Sequence, residues 1–598
     1  MNMPNLLRYF PKEKYPKVLP NQKEALLLIE KNDGRVVLEL PTGSGKTAVG
    51  YTFLKALVRS GVEGPLYYVV PTKTLVNQVK ELHPEVTVVY GRNEYPCLYY
   101  KDEKVTAEES PCYMLDCPHR VDQETGETEV AGVKPCPYFA DRYRAEESEI
   151  VACTTAFYAL TQLFKGKEAK AKAVVFDEAH QIARVLRQCL SKEITDWHLA
   201  KVIELLKEIG AHKEARVLRK FRVAIMQLVR RRYRKGSQAP VIFEPEEVRE
   251  LLGILEGVNS EDLLRRIKTL VKEKGIDPKE RREVLKGAET LTRDLRSYVN
   301  SFQYALPDEE RRRNALDYIY GHWKKEPKGN EKVKYRLFIK SYYVAPLVRL
   351  ITPKLMLAYS ATIGDADVFG FETGIKAPFF ALSSDFPPEN TGIFIPTDTP
   401  NLAMKARGKR EPTQALRKIA RACKSLARRN IRSLVVVVSE TERQKFLWLC
   451  DDEGVKVISY GNGIPSREAA RLFKEGEGDV LVGTSSNYAE GLDLPKEIAP
   501  VIFVLRPNYP RPDDPMTVFE ERRFGGMRWA LWNWRVAMGA LQVRGRNVRS
   551  VKDLGITIFV SQQFRRFVPA ILPKWLSPAY RGDLSFDECV SEAVKKLQ

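Results

Sequence analysis

The 598-residue sequence predicts an α/β protein of two parallel-sheet domains, the first interrupted by a small cysteine-bearing module and by a long helical segment. Three observations carry that expectation. Apolar strand-like runs alternate with amphipathic helical ones at both ends of the chain, four of the nine cysteines crowd into 40 residues, and a charged helical texture fills the middle. A mass of 68.3 kDa is too large for one core, so three or four structural units are expected.

Near the start, Val36 to Leu40 reads as a strand, Lys46 to Val58 as an amphipathic helix and Pro65 to Val70 as a second strand. This is βαβ texture, which makes a parallel sheet whose strand ends carry the ligand. Ala173 to Phe176 is a further short buried strand. From about Gly91 to Arg142 no period holds, and Cys, Pro, Gly and acidic residues predominate; a small unit held by something other than a core is expected there. Between Ala183 and Tyr343 the texture is helical, as in Leu199 to Leu218 and Glu261 to Lys274, with few strand signals. Strand-like runs return at Lys354 to Tyr359, Ser433 to Val438, Val455 to Ser459, Asp479 to Val482 and Val501 to Leu505. The expected division is residues 1–90 with 143–185 and 344–375 for the first α/β domain, 91–142 for the cysteine module, 186–343 for the mostly helical insertion and 376–598 for the second α/β domain.

Lys and Arg number 97 against 77 Asp and Glu, a formal charge of +20. Surface ion pairs of a high-temperature cytosol would explain the count, and Lys201 to Glu208 suits that, but not the imbalance. The excess favours a nucleic acid, whose counterions are released when cations neutralise its phosphates. Met1 to Asn5 leads into charged residues, and no run of 18 apolar residues occurs, so the expectation is an intracellular, cytoplasmic protein without a membrane contact. Monomer is the default.

Pro41-Thr42-Gly43-Ser44-Gly45-Lys46-Thr47 lies between the first strand and the first helix. Its glycines let backbone N–H groups turn toward phosphate oxygens, Lys46 suits the β- and γ-phosphates of ATP, and the Thr47 hydroxyl suits Mg²⁺. Leu40 stands where a strict loop has its first glycine. Asp177-Glu178-Ala179-His180 follows a buried strand, which sets two carboxylates where nucleotide would sit. Asp177 is expected to hold Mg²⁺ and Glu178 to orient and deprotonate water. Further on, Gln542-Val543-Arg544-Gly545-Arg546-Asn547-Val548-Arg549 matches the Q-x-x-G-R-x-x-R pattern, in which Arg546 and Arg549 would reach the γ-phosphate from the second domain. Ser360-Ala361-Thr362 and Gly483-Thr484 with Glu490-Gly491-Leu492-Asp493-Leu494-Pro495 fill the remaining motif positions, and Gly491 and Asp493 join the nucleotide-responsive set.

Cys97, Cys112, Cys117 and Cys136 are separated by 14, 4 and 18 residues. Four thiolates can hold a 4Fe–4S cluster or a tetrahedral zinc. The lack of paired C-x-x-C knuckles and the prolines at Pro96, Pro111, Pro118 and Pro137 favour the cluster; His119 could replace a thiolate in a zinc site. Cys153, Cys189, Cys423, Cys450 and Cys589 are expected to be structural.

With these motifs in this order, the chain resembles the XPD/DinG family of iron–sulfur superfamily 2 DNA helicases. The resemblance spans nearly the whole length, with Gly91 to Cys97 and Cys136-Pro137-Tyr138-Phe139 similar to the segments around the first and last cluster ligands. It implies two RecA-like motor domains, an iron–sulfur domain at 91–142, an arch at about 186–343, 5′ to 3′ unwinding, and single-stranded and forked DNA and repair proteins as partners in the nucleoid. Gln22 would correspond to an adenine-reading glutamine. Pro71-Thr72-Lys73 and Ser561-Gln562-Gln563 depart from the family pattern, so XPD-like and DinG-like subfamilies both stay open, as do D-loops or RNA–DNA hybrids as substrates and an ATP-switched clamp that does not unwind. For the strand path, Arg522, Arg523, Arg528, Trp529, Trp532, Trp534 and Arg535 interleave cations with aromatics, which suits base stacking or a core. Arg230 to Lys235 suits a DNA-facing patch or a solvated helix end.

Overall fold

The computed structural model describes residues 3–598 apart from 42, 102, 166–169, 209, 233–240, 276, 292–318, 327–333, 384–386, 404–407, 409, 489–493, 495–497 and 546–552. In chain order the strands are β1 (Arg35–Glu39), β2 (Leu66–Val70), β3 (Thr87–Val88), β4 (Ile150–Thr154) and β5 (Ala173–Asp177), then β6 (Lys192–Thr195), β7 (Val241–Ile242), β8 (Ile319–Glu326) and β9 (Lys334–Ser341). The chain returns with β10 (Leu355–Ser360) and β11 (Phe379–Ala381). It finishes with β12 (Thr391–Phe394), β13 (Ser433–Val437), β14 (Val457–Ser459), β15 (Val480–Thr484), β16 (Val501–Val504), β17 (Gly555–Phe559) and β18 (Tyr580–Arg581).

Two seven-stranded parallel sheets form two α/β lobes of the RecA-like kind, ordered β11-β1-β10-β5-β2-β4-β3 and β14-β15-β13-β16-β17-β12-β18. The central strands are continuous apolar runs, such as Leu66–Val70 and Ser433–Val437, because helices cover both faces of a parallel sheet. The first sheet decides where the chemistry lies. Residues far apart in sequence become neighbours through register: Glu39 pairs with Ser360, and Tyr359 with Asp177. The loops leaving β1, β10 and β5 therefore stand side by side at the carboxyl edge.

The cysteine module lies between β3 and β4. Its apolar clusters are minimal: Tyr95, Ala107 and Tyr138 in one, and Tyr100, Val105 and Leu115 in the other. So little buried surface cannot hold a fold of this size, as its irregular sequence texture predicts. The insertion between β5 and β10 has its own core, which includes Leu206, Leu218, Phe221, Ile225 and Leu251 together with Met114 from the module. Further contacts join the two: Arg282 pairs with Glu103, Lys272 with Asp116 at 2.6 Å, and the Tyr113 amide donates to Glu289 at 3.2 Å.

One boundary needs correcting and one element adds to the expectation. Beside its helices the mostly helical insertion also carries a sheet: β6, β9, β8 and β7 form a four-stranded antiparallel sheet, with β8 and β9 paired over eight residues each. The first lobe also continues past residue 375, since β11 hydrogen-bonds to β1 and buried Leu382 donates its amide to the Glu39 carbonyl at 3.0 Å.

Candidate nucleotide site and cysteine module

The phosphate loop begins where β1 ends. Gly43 and Gly45 have φ of 80° and 70°, and Gly45 immediately precedes the helix Lys46–Arg59, so the turn needs residues free to enter the left-handed region. Gln22 braces the loop from beneath: its Oε1 accepts from the Leu19 amide at 3.0 Å and its Nε2 donates to the Gly45 carbonyl at 3.4 Å. A Cβ at Gly45 would come within 2.2 Å of that amide nitrogen. Pro41 is buried, and the Ser44 hydroxyl is buried without a hydrogen-bond partner among the described residues, an orphan suited to a phosphate oxygen.

Across from the loop, Asp177 closes β5 and Glu178 turns into the left-handed region at φ 51°, a conformation rare for a residue with a Cβ and typical of functional sites. Lys46 Nζ stands 3.6 Å from Glu178 Oε1. Burial and the neighbouring Glu178 charge push Asp177 up to about 7, with Lys46 opposing them. Burial acts on Glu178 as well, but Lys46 first and the Ser360 hydroxyl after it outweigh burial and hold this carboxyl below its usual range. The pair thus splits into an ionised Glu178 and an Asp177 that a cation would have to claim.

A hydrogen-bond path leaves this site and crosses between the lobes. Ser360 Oγ donates to Glu178 Oε2 at 2.9 Å, His180 Nδ1 lies 2.8 Å from Ser360 Oγ, and Gln542 Nε2 meets His180 Nε2. One proton arrangement satisfies all three contacts: a neutral His180 donating through Nδ1 and accepting from the Gln542 amide through Nε2. Gln542 lies on the second-lobe helix Met527–Arg544. On the same face at helical spacing, Trp534 Nε1 donates to the Ile363 carbonyl at 2.8 Å, and Met538 closes on Gly364. Buried Glu39 in turn accepts from the Ile363 and Gly364 amides at 2.7 and 3.1 Å, tying the strand before the phosphate loop to the loop after β10.

A second crossing is ionic. Arg535 donates to both oxygens of Glu372 at 2.9 and 2.7 Å and to Glu520 at 2.6 Å; Arg187 also pairs with Glu372, and Trp532 Nε1 donates to Glu520 at 2.5 Å. The cation-and-aromatic stripe is therefore divided. Trp532 and Trp534 are buried between the lobes, Arg535 is half-buried beside them, and Phe524 packs on Tyr343 and Phe371. Trp529, 53% exposed with the Arg528 guanidinium 5.5 Å from its ring, is the part open to a ligand.

The four cysteines come together around one small cavity, which His119, Arg120, Ala107 and Phe139 also line. None is in a disulfide. Burial raises Cys117 to about 11, and the three neighbouring sulfurs add to that effect. Arg92 Nη2 donates to Cys112 Sγ at 3.0 Å, and His119 spends Nδ1 on the Lys134 carbonyl at 2.7 Å. Among the described residues no three His, Cys, Asp or Glu side chains stand close enough to hold a metal ion. Cys153, Cys423, Cys450 and Cys589 are buried and Cys189 half-buried. Thr42, Gly491, Asp493, Arg546 and Arg549, like most of Arg230 to Lys235, lie outside the described residues.

Comparison with known proteins agrees with this geometry. Residues 16–208 match the family of the type III restriction enzyme res subunit, and residues 423–579 match the helicase C-terminal domain. An XPD helicase structure superposes with a TM-score of 0.62 at 17% identity, over 95% of this chain and 100% of that one. The chain is a superfamily 2 helicase of XPD/DinG-like fold. The S. tokodaii Xpd4 structure gives a TM-score of 0.54 at 12% identity, covering 93% and 96% of the two chains. A human protein described as a probable ATP-dependent RNA helicase DDX60-like is 38% identical over 79 residues, 12% of this chain and 5% of that protein's length. No described helix of the helicase is long and apolar enough to cross a membrane.

The sequence did not single out Tyr68, Tyr359, Glu39, Glu372 or Glu520. A polar group inside a buried run was the available signal, most plainly the tyrosines within LYYVV and LMLAYS.

Proposed function

We propose that the helicase hydrolyses ATP to move along single-stranded DNA and part forked duplexes, with the 5′ to 3′ polarity that the family resemblance implies. The observation that carries this reading is the path Gln542–His180–Ser360–Glu178, because it makes the water-activating carboxylate answer to the position of the second lobe.

In this reading the backbone N–H groups of Gly43 to Thr47, with Ser44, cradle the phosphates, and Thr47 and Asp177 hold Mg²⁺, which neutralises phosphate charge. A triphosphate is a stronger partner for Lys46 than Glu178 is. Drawing Lys46 away leaves Glu178 bonded to Ser360 and free to take the proton of an attacking water. Arg546 and Arg549 complete the charge compensation when the lobes close. Gln22, which spends one of its two amide hydrogens on the loop it braces, is the adenine reader in this reading. The +20 charge and exposed Trp529 and Arg528 suit a polyanion with stackable bases.

Cys97, Cys112, Cys117 and Cys136 hold a 4Fe–4S cluster in this reading. The lack of paired C-x-x-C knuckles and the prolines beside the four cysteines support the cluster over a zinc. The cluster supplies the cross-link that the module's small cores lack.

Protein prepared without oxygen, with iron, sulfide and zinc measured in the same sample, is given duplexes bearing a 5′ or a 3′ tail. ATP-dependent separation of the 5′-tailed duplex alone, lost in Lys46→Ala, is expected. Strand-stimulated ATP hydrolysis without separation of DNA duplexes, D-loops or RNA–DNA hybrids would instead establish the clamp.

A further inference from the structure

Two tyrosine hydroxyls are buried directly behind the carboxylate expected to meet Mg²⁺. Tyr68 on β2 and Tyr359 on β10 flank β5, and their side chains are 1% and 0% exposed. Their hydroxyls hydrogen-bond to each other, and the Tyr68 hydroxyl also reaches Asp177 Oδ2 at 3.4 Å, the long end of hydrogen-bonding distance. The Thr47 hydroxyl is a further hydrogen-bonding neighbour of Tyr68. One phenol oxygen thus stands between the two side chains assigned to the cation.

The packing shows how closely the tyrosines are seated. The helix that starts at Lys46 carries Gly50 where it crosses them, and a Cβ there would come 2.7 Å from Tyr359 Oη, 2.8 Å from Tyr68 Cε2 and 3.0 Å from Val175 Cγ1. Glycine inside a helix costs about 1 kcal/mol relative to alanine. Phenylalanines would fill the same space without burying polar groups, which is unfavourable unless those groups are hydrogen-bonded. The hydroxyls have a use, and the carboxylate that the Tyr68 hydroxyl meets is Asp177.

We propose that Tyr68 and Tyr359 are positioning residues of the Mg²⁺ site. The Tyr359 hydroxyl donates to Tyr68, and Tyr68 donates to Asp177 Oδ2, which fixes the carboxylate's rotation and its separation from Thr47 before nucleotide arrives. This inference rests on the ATP-hydrolysing reading, and neither tyrosine touches the reacting atoms.

Tyr68→Phe and Tyr359→Phe, which keep ring packing, test it in the full-length protein. Mn²⁺ binding in the presence of a non-hydrolysable ATP analogue is read by electron paramagnetic resonance, beside the Mg²⁺ dependence of ATP hydrolysis, nucleotide binding in a chelator, and thermal stability. Tyr68→Phe is expected to raise the half-saturating concentration of either cation about tenfold, the scale of one hydrogen bond to a charged group. Tyr359→Phe, which leaves the Tyr68 bond, is expected to raise it about threefold. Metal-free nucleotide binding and Tm are expected to hold. Mn²⁺ affinity within twofold of wild type in Tyr68→Phe overturns the proposal, whether or not Tm falls. If Tyr68→Phe does not fold, unchanged Mn²⁺ affinity in Tyr359→Phe overturns it. A wild type that binds Mn²⁺ and nucleotide but hydrolyses no ATP refutes the motor reading instead, and the Mn²⁺ comparison still decides the tyrosines.

Discussion

Arg535→Ala is the substitution with the clearest structural consequence. It removes the cation that joins Glu372 of the first lobe to Glu520 of the second, and leaves Glu520, 1% exposed, with the Trp532 N–H. Removing one member of a buried ion pair typically costs about 3–5 kcal/mol, because the remaining charge stays desolvated. The Glu372 carboxyl shows how strongly the cations act at this crossing. Burial alone would raise it, but Arg187 and Arg535 outweigh burial and hold it at about 2 instead of 4.5, a difference worth about 3 kcal/mol that the two arginines share. At about 2–4 °C per kcal/mol for an unfolding unit of lobe size, Tm at pH 7 should fall by about 6 °C or more. Arg535→Lys keeps the charge but not the fork that engages both carboxylates, so an intermediate loss is expected. Thermal unfolding across pH adds a test of sign. A depressed carboxyl contributes fully above 4.5 and loses its contribution as pH falls toward 2, so the gap between wild type and Glu372→Gln should be widest near neutrality and close in that acid window. An Arg535→Ala protein melting within about 1 °C of wild type at pH 7, or a gap that widens in acid, would refute the reasoning.

Other substitutions separate the parts of the site. Glu178→Gln should lower strand-stimulated ATP turnover by about a hundredfold or more while nucleotide still binds, measured by steady-state kinetics and equilibrium titration. Gln542→Ala should lower turnover about tenfold with nucleotide affinity unchanged, since only the crossing to His180 is lost; equal losses in affinity and turnover would argue against a relay. Cys117→Ser should abolish the brown colour of protein prepared without oxygen and expose the 91–142 module to proteolysis, while a colourless, zinc-loaded wild type would remove the cluster.

How much was legible in the sequence follows from which interactions are local. The phosphate loop and the helix behind it are specified within a dozen residues by a strand, two glycines that need positive φ and an amphipathic run, so the expected helix start at Lys46 is the observed one. Strands β5, β13 and β16 are built on apolar runs of four residues, and their expected and observed spans differ by a residue at most. The sheet in the insertion is another matter. Tyr335, Leu337 and Ile339 alternate with neighbours in a period-two pattern, but the surrounding Lys and Arg residues resemble an amphipathic helix, and β6 and β7 become strands only by pairing with distant partners.

Charged residues show the same limit at the level of function. Arg535 and Trp532 read equally well as strand contacts or as core, because nothing within a helical turn of either distinguishes solvent from a buried carboxylate; the partners Glu372 and Glu520 lie 163 and 12 residues away. The sequence alone determined the candidate reactive groups, their order and the spacing of the four cysteines, since backbone geometry and covalent neighbours set these. Only the tertiary structure decided that Ser360 and His180 connect Glu178 to Gln542, that a half-buried cation joins two buried carboxylates across the lobes, and that two tyrosines from separate strands meet behind Asp177. Such contacts depend on parallel register and helix packing across hundreds of residues, which no local pattern encodes.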